Sequence, residues 1–129
     1  MSTRRNFVKK TASLGFGFAL SPQLTFGNIN IKKEKLNIGL IGVGLRGTNH
    51  LNNLLSRVDC NITAICDIDP KRISIAQDLI IGKGQEKATV FGKYDYDYRN
   101  LLALKDLDAI IISTPWLWHT KMAKDSMKA

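Results

Sequence analysis

The fold of this chain is decided by nine residues, "GLIGVGLRG" at positions 39–47. They begin inside the apolar run "LNIGLI" (36–41) and place glycine at 42, 44 and 47, a Gly-x-Gly-x-x-Gly spacing where a strand should give way to a helix. At such a junction Gly42 allows a tight turn, Gly44 lets a pyrophosphate approach the backbone, and Gly47 lets the helix pack closely on the strand. The stretch therefore predicts a strand, a helix and, between them, a phosphate site formed by free N–H groups.

An acidic residue supplies the second half of this signal. Asp67 lies twenty residues after Gly47, at the end of the next predicted strand, where a carboxylate can accept hydrogen bonds from both ribose hydroxyls of an adenosine. A carboxylate there repels a 2′-phosphate, which favours NAD over NADP, although Lys71 and Arg72 nearby weaken that preference. The alternative is that Asp67 and Asp69 form only a turn that caps the following helix.

Strand and helix patterns alternate four times after residue 35. The predicted strands are "LNIGLI" (36–41), "NITAIC" (61–66), "ATVF" (88–91) and "DAIIIS" (108–113), and the predicted helices follow them from 46, 70, 98 and 119. This alternation predicts an α/β doubly wound fold, with a parallel sheet, right-handed crossovers and helices on both faces. Because such a domain normally continues with further strands, we expect a truncated copy of a larger protein.

Local patterns predict which residues pack inward. Pro70 fits the first turn of the second helix, and Asp97 stands where the third helix needs a cap. The run "YDYDY" (94–98) is interpreted as that cap with a packing ring rather than as a metal site. "DAIIIS" is apolar enough to be buried on both faces. The helix residues predicted to face inward are Leu51, Leu54, Leu55, Val58, Ile73, Ala76, Leu79, Ile80, Met122, Ala123 and Met127.

Both tryptophans lie in "TPWLWH" (114–119), at the carboxyl edge of the fourth predicted strand. Ligands of open parallel sheets bind outside this edge, so Trp116, Trp118 and His119 are predicted to line the slot for the nicotinamide end of a dinucleotide. Core filling is the alternative. Arg46, inside the glycine loop, is predicted to reach the diphosphate through charge-assisted hydrogen bonds, with a solvated side chain as the alternative.

The amino-terminal residues differ in character from the rest of the chain. Residues 1–27 carry Arg4-Arg5 and then a short apolar stretch, the pattern of a twin-arginine export signal, and 28–34 form a linker to a domain at 35–129. The stretch is too short and too weakly apolar to span a bilayer of about 30 Å, so we expect export to the periplasm without a stable membrane anchor. An amphipathic first helix is the alternative.

Charge and cysteine usage exclude two classes of function. The net charge is +8, but four of the 19 basic residues and none of the 11 acidic ones lie in residues 1–27, and the others are interleaved, which argues against a nucleic-acid partner. Cys60 and Cys66 are separated by about 20 Å of predicted strand, too far for a disulfide, so we expect both to be unpaired and buried. No Cys-x-x-Cys or paired-histidine spacing supports a zinc site.

The glycine loop, "CDIDP" (66–70) and a Thr-Pro-x-x-x-His segment together resemble the Gfo/Idh/MocA oxidoreductases, whose NAD-binding half is a Rossmann-type domain. The usual form of that segment is Thr-Pro-Asn-x-x-His. Tryptophan at the asparagine position makes the chain most similar to glycoside hydrolase family 109, the NAD-dependent α-N-acetylgalactosaminidases. The resemblance implies cofactor contacts at Leu45, Arg46, Asp67 and the segment 116–119, in which Leu117 lies between the two tryptophans.

The resemblance also implies a redox-assisted elimination. Hydride leaves the sugar C3 for NAD, the C2 proton becomes acidic, and the glycosidic oxygen departs; water then adds and the hydride returns. The catalytic residues of such enzymes, and the carboxyl-terminal α/β substrate domain that this chain lacks, are expected beyond residue 129, so this chain alone should not turn over a sugar. The expected partners are a sugar or glycoside and, in the full-length protein, a second copy of the chain in a homo-oligomer.

Three other interpretations remain open on the sequence. The first is an exported NAD(P)-dependent sugar dehydrogenase with the same fold. The second is a non-catalytic fragment that binds nucleotide weakly or not at all. The third is a Rossmann-like methyltransferase, which shares the glycine loop and the acid but does not need "TPWLWH".

Overall fold

Strands and helices alternate along residues 35–129, the part of the chain that a computed structural model describes. The elements are β1 Leu36–Ile41, α1 Leu45–Leu55, β2 Cys60–Cys66, α2 Pro70–Gly82, β3 Thr89–Phe91, α3 Tyr98–Leu102, β4 Ala109–Ile112 and α4 Trp116–Lys128. The predicted alternation is confirmed. The predicted export signal (1–27) and linker (28–34) lie outside the described residues.

The four strands form one parallel sheet in the order β3-β2-β1-β4. From β1 the chain builds outward through β2 and β3 on one side and places β4 on the other side. The strand order therefore reverses at β1, and a crevice opens there, beyond the carboxyl ends of β1 and β4. In doubly wound sheets this switch point is where ligands bind.

Helices cover both faces of the sheet, as the doubly wound prediction requires. On one face α1 and α2 pack through Leu51, Leu55, Ala76 and Ile80. On the other face α3 and α4 contribute a second cluster that holds Tyr98, Leu101 and Met122. Each face of the sheet is therefore covered by its own pair of helices.

A bulge at Thr63 changes which face of the sheet the following side chains of β2 point to. The register with β1 steps from Ile62 to Ala64, so that Thr63 has no partner position. Ile62 and Ile65 consequently belong to the first cluster, whereas Ala64 and Cys66 belong to the second. The extra residue changes the side-chain alternation without ending the strand.

Three packing predictions are wrong, each at the end or edge of an element. α1 ends at Leu55, so Val58 lies beyond the helix and is exposed. Met127 is exposed because it lies in the last turn of α4. β4 is an edge strand of the described sheet, so its isoleucines are only half-buried rather than buried on both faces.

Asp97 occupies the position before α3 but does not cap that helix. Its buried carboxylate accepts hydrogen bonds from the backbone N–H groups of Gly92 (2.6 Å) and Lys93 (2.9 Å), and from the amide of Asn100 (2.7 Å). The bonds from Lys93, Asn100 and Gly92 lower the pKa of Asp97. The carboxylate thus fixes the turn that precedes α3.

The two cysteines are buried and free, as predicted. Burial, followed by the negative charges of Asp97 and Asp67, raises the pKa of the Cys66 thiol to about 12. The thiol is therefore neutral at physiological pH.

Within residues 35–129, no group of side chains has the make-up of a metal site. No helix in that range is both long and apolar enough to cross a membrane.

A buried glutamine joins α2 to the start of β3. Gln77 donates from Nε2 to the carbonyl oxygen of Ala88 (2.6 Å) and accepts at Oε1 from the Ala88 N–H (3.1 Å). Both groups of Ala88 are thereby satisfied in a place that water does not reach.

Replacing Gln77 with leucine should loosen β3, because the buried N–H and carbonyl of Ala88 would lose their partners at a cost of about 2 kcal/mol. Hydrogen exchange of the full-length protein should show faster labelling across residues 85–91. Asp78→Ala, an exposed change on the next residue of the same helix, is the control and should leave labelling unaltered. Equal protection in the two variants would contradict the assigned role of Gln77.

Candidate functional site

A cavity of about 590 Å³ lies at the carboxyl edge of the sheet, at the switch point between β1 and β4. Its walls come from the β1–α1 turn, from the segments that follow β2, β3 and β4, and from the start of α4. The lining residues are Ile41, Gly42, Gly44, Leu45, Arg46, Cys66, Asp67, Ile68, Asp69, Arg72, Tyr94, Asp95, Ser113, Thr114, Pro115, Trp116, Trp118 and Met122.

The three loop glycines have different steric roles. Gly42 has φ +90°, and a Cβ there would lie 2.7 Å from the carbonyl oxygen of Ser113. A Cβ on Gly47 would overlap the carbonyl oxygen of Gly42. Among residues 35–129, a Cβ on Gly44 would meet no atom within 4 Å. Gly42 and Gly47 are therefore required by the fold, and Gly44 borders space left for a ligand.

The start of α1 offers hydrogen-bond donors to that space. Gly44 is the residue before the helix, and no side chain caps it. The first N–H groups of a helix have no intrahelical partner, so an uncapped start favours an anion. Leu45 and Arg46 begin the helix, line the cavity and are exposed, so the guanidinium adds a positive charge at the same place.

Asp67 joins three parts of the cavity. Its carboxylate accepts hydrogen bonds from the backbone N–H of Val43 in the glycine loop (2.8 Å) and from the N–H of Asp69 (2.9 Å). Asp69 in turn accepts from the Lys71 N–H and caps α2, as its alternative interpretation proposed. Each carboxylate oxygen of Asp67 accepts one such bond, and since a carboxylate has about four acceptor positions, capacity remains for ligand hydroxyls.

The β4 side of the cavity carries the tryptophans, and α4 begins at Trp116 rather than at the predicted His119. Trp116 is 96% exposed at the cavity mouth. Trp118 is half-buried, with its ring packed edge-on against Tyr96 at 5.3 Å between centroids. The Trp118 ring is thus held by its contact with Tyr96, while the Trp116 ring is available to a ligand.

Two buried hydroxyls lie in the same wall. Ser113 Oγ and Thr114 Oγ1 are shielded from solvent and make no hydrogen bond within the described structure, yet both residues line the cavity. Unsatisfied buried hydroxyls are costly, so their position in a cavity wall fits a ligand that supplies the missing partners.

The structure brings most of the predicted site residues to one cavity. Gly42, Gly44, Leu45, Arg46, Asp67, Trp116 and Trp118 line it. Gly47 lies beneath the loop, where it packs against Gly42. Leu117 and His119 are exposed and lie outside the cavity wall, because the helical turn that begins at Trp116 directs them elsewhere.

Sequence reasoning missed several lining residues. Tyr94 and Asp95 belong to the run interpreted as a cap with a packing ring, an interpretation that holds for the buried ring of Tyr98 alone. Ser113 and Thr114 were passed over in favour of the neighbouring tryptophans. A usable signal for all four was their position at the carboxyl end of a predicted strand or within a few residues after it, at the ligand-binding edge.

These features fit a dinucleotide. The glycine cradle and uncapped helix suit a diphosphate, the Asp67 carboxylate suits a ribose, and the unpartnered hydroxyls of Ser113 and Thr114 suit a further polar group. The fold and the site together define an NAD-binding Rossmann domain.

Comparison with known families agrees. A model described as "Oxidoreductase family, NAD-binding Rossmann fold" matches residues 36–129, and the chain belongs to this Gfo/Idh/MocA family.

Curated relatives carry a narrower name. A "Glycosyl hydrolase family 109 protein 2" of Shewanella sp. (strain ANA-3) is 41% identical over 98 residues, 76% of this chain and 22% of the relative. A "Glycosyl hydrolase family 109 protein" of Shewanella baltica (strain OS155) is 33% identical over 143 aligned positions, 98% of this chain and 31% of the relative. The chain thus spans between a fifth and a third of the length of these relatives.

Solved structures share the fold. A myo-inositol dehydrogenase from Lactobacillus casei, in complex with NAD(H) and myo-inositol, matches with a TM-score of 0.61 and 22% identity over 74% of this chain and 26% of that one. A scyllo-inositol dehydrogenase from the same organism, with bound NAD(H) and scyllo-inositol, gives a TM-score of 0.58 and 20% identity over 73% and 25%.

Alanine at Gly42 and at Gly44 should separate the requirements of the fold from those of ligand binding. Gly44→Ala should fold normally, since its Cβ meets open space, but should retain much less NAD, because the methyl group enters the space of the diphosphate. Gly42→Ala should lower the thermal midpoint, since the residue has a positive φ and a Cβ would clash with Ser113. Bound NAD and melting curves of the full-length variants measure both effects. Wild-type NAD content in Gly44→Ala would contradict this assignment.

Proposed function

We propose that this chain is the NAD-binding portion of an exported enzyme that hydrolyses α-N-acetylgalactosaminides through transient oxidation of the sugar. The observation that carries the proposal is the segment 114–119, which sets Trp116 beside the cofactor cavity at the position where most of the wider family has asparagine. Relatives 33–41% identical to the chain and named for glycoside hydrolase family 109 support the same choice.

Each wall of the cavity has a separate task in this proposal. The N–H groups at the start of α1 and the Arg46 guanidinium bind the diphosphate. Asp67 accepts hydrogen bonds from the adenosine ribose, and its charge disfavours a 2′-phosphate. Trp116 and Trp118 cover the nicotinamide end and exclude water there, with Trp118 oriented by Tyr96.

Leu117 and His119 belong to the same proposed contact segment but lie outside the cavity wall. Any contact they make with the cofactor therefore comes through backbone groups or through a change in the first turn of α4. Arg46 and the tryptophans need no such change, since they already line the cavity.

Bound NAD would supply a reversible hydride acceptor, and oxidation of a sugar carbon to a ketone would make the proton on the neighbouring carbon acidic. The described residues bind and orient, and the groups that move protons on the sugar are proposed to come from the rest of the protein. This route does without the pair of carboxylates that flanks the bond in most glycosidases. Residues 1–129 alone are accordingly proposed to be inactive.

The activity is tested with purified full-length protein, an aryl α-N-acetylgalactosaminide and no added cofactor. We expect release of the aryl group without net formation of NADH, because the hydride returns to the sugar in each turnover. The Gly44→Ala protein is the control and should lose activity together with its bound NAD. Absorbance at the aryl and NADH wavelengths follows both products.

Stoichiometric NADH from a free sugar or polyol, without aryl release, would instead support the second candidate, an NAD(P)-dependent sugar dehydrogenase. That candidate draws on the oxidoreductase description of the family. The two candidates share the cavity described above and differ in the residues that surround the sugar.

Export is proposed on the twin arginines alone. A reporter fused to residues 1–30 should reach the periplasm, and replacement of Arg4-Arg5 by Lys-Lys should reduce that export strongly, because the translocation machinery recognises the arginine pair. Replacement of Lys9-Lys10 by Arg-Arg keeps the charge and is the matched control. Undiminished export of the Lys-Lys fusion would argue for another route.

A further inference from the structure

The turn between β3 and α3 lines the cofactor cavity, although nothing in the proposed function uses it. Tyr94 and Asp95 both contribute to the cavity wall, and the Tyr94 side chain is 54% exposed. A half-exposed aromatic ring that faces a cavity offers a flat apolar surface to a ligand.

Topology assigns this turn to one end of the cavity. β3 lies next to β2, on the opposite side of β1 from β4. Tyr94 follows β3 and Asp67 follows β2, so the two residues bound the same end, and the tryptophans after β4 bound the other. If Asp67 binds the adenosine ribose, the base that binds at this end of the cavity is adenine.

The charges at the Asp67 end of the cavity favour an uncharged base over a charged group. Three carboxylates line it, those of Asp67, Asp69 and Asp95, against one guanidinium, that of Arg72. A phosphate would be repelled by this group, whereas a neutral heterocycle carries no such penalty. Ile68, also in the wall, adds a second apolar surface.

A hydrogen-bond network built on the buried carboxylate of Asp97 holds the Tyr94 ring. The amide of Asn100 donates to the Tyr94 hydroxyl (3.0 Å) and to the carboxylate of Asp97 (2.7 Å). Asp97 is only 4% exposed and also accepts from Gly92 and Lys93, at the two residues that lead into the turn. The main chain adds a bond from the Asp97 N–H to the Tyr94 carbonyl oxygen (3.0 Å).

The same network connects with Asp67. Gly92 packs so tightly on the Asp67 carbonyl oxygen that any Cβ would overlap it, and the Asp67 N–H donates to Phe91 (3.2 Å). The turn after β3 and the residue after β2 are therefore fixed relative to each other.

We propose that Tyr94 forms the stacking surface for the adenine ring of NAD, and that Asp97 and Asn100 are positioning residues which hold Tyr94 against it. The inference rests on NAD binding at this cavity and not on the identity of the sugar. It adds a base contact to a site whose other assigned residues bind the ribose, the diphosphate and the nicotinamide end.

The test is calorimetric binding to full-length protein freed of its cofactor, with NAD, ADP-ribose and nicotinamide mononucleotide as separate probes. Tyr94→Ala should weaken NAD and ADP-ribose roughly tenfold, the usual effect of losing one base–aromatic stack. Nicotinamide mononucleotide, which has no adenine, should bind as to wild type. Tyr94→Phe keeps the ring and should restore most of the affinity.

The positioning residues are tested in the same way. Asn100→Ala, at an exposed residue, should give a smaller loss with the same preference for adenine-containing probes. Asp97→Asn should reproduce that selectivity, and the Asn100 variant keeps the test informative if the buried change prevents folding. Ile81→Ala, at a residue 52% exposed on α2 and absent from the cavity, is the matched control.

A spectroscopic signal separates stacking from general loosening. Fluorescence of ethenoadenosine diphosphate should be quenched on binding to wild type and to Tyr94→Phe, and much less on binding to Tyr94→Ala. Unchanged ADP-ribose affinity in Tyr94→Ala, or an equal loss for nicotinamide mononucleotide, would overturn the proposal. Failure of the wild type to bind NAD at all would overturn both this inference and the proposed function.

Discussion

The close contact between the β1–α1 turn and the end of β4 is the constraint on which the rest of the structure depends. Gly42 lies against the Ser113 carbonyl, while the Ser113 N–H donates to Ile41 (2.8 Å) and Gly47 packs against Gly42. Only glycine fits at position 42 in the turn and at position 47 in the first turn of α1, since a Cβ at either position would meet a backbone oxygen. This contact brings the start of α1 to the carboxyl ends of β1 and β4 and so creates the cavity.

From that contact, backbone hydrogen bonds extend the site sideways across the sheet. The Asp67 carboxylate bonds to Val43 in the turn, the Asp67 N–H bonds to Phe91 at the end of β3, and the Asp97 carboxylate bonds to Gly92 next to it. The Asp67 carboxylate thus ties the β1–α1 turn to the end of β2, a backbone bond ties the end of β2 to β3, and the Asp97 carboxylate holds the turn after β3. Charge-assisted bonds of this type are short and directional, which gives a ligand a rigid surface.

The sequence predicted those features whose cause is local. The glycine spacing, the placement of Asp67 and the Pro70 start of α2 depend on a few neighbouring residues, and all three lie where expected. The helix faces around Ala76 and Ile80 follow from periodicity for the same reason. The predictions that failed depend on where a helix begins or ends. Val58 lies beyond the end of α1, and Trp116 already belongs to α4 rather than to a loop.

Long-range features were out of reach for a different reason. The part played by Asp97 depends on the turn at Gly92 being pressed against β2, and a capping motif in sequence looks the same whether the carboxylate faces its own helix or that turn. Tyr94 becomes a cavity residue only because β3 pairs with β2 and not with β4.

Since the strand order decides which loops meet, the two ends of the cavity have different chemistry. Acidic groups and a tyrosine ring lie after β2 and β3, and buried hydroxyls and tryptophans lie after β4. In the proposed function the Asp67 end takes the adenosine half of the dinucleotide, so the strand order also puts the nicotinamide half at the β4 end.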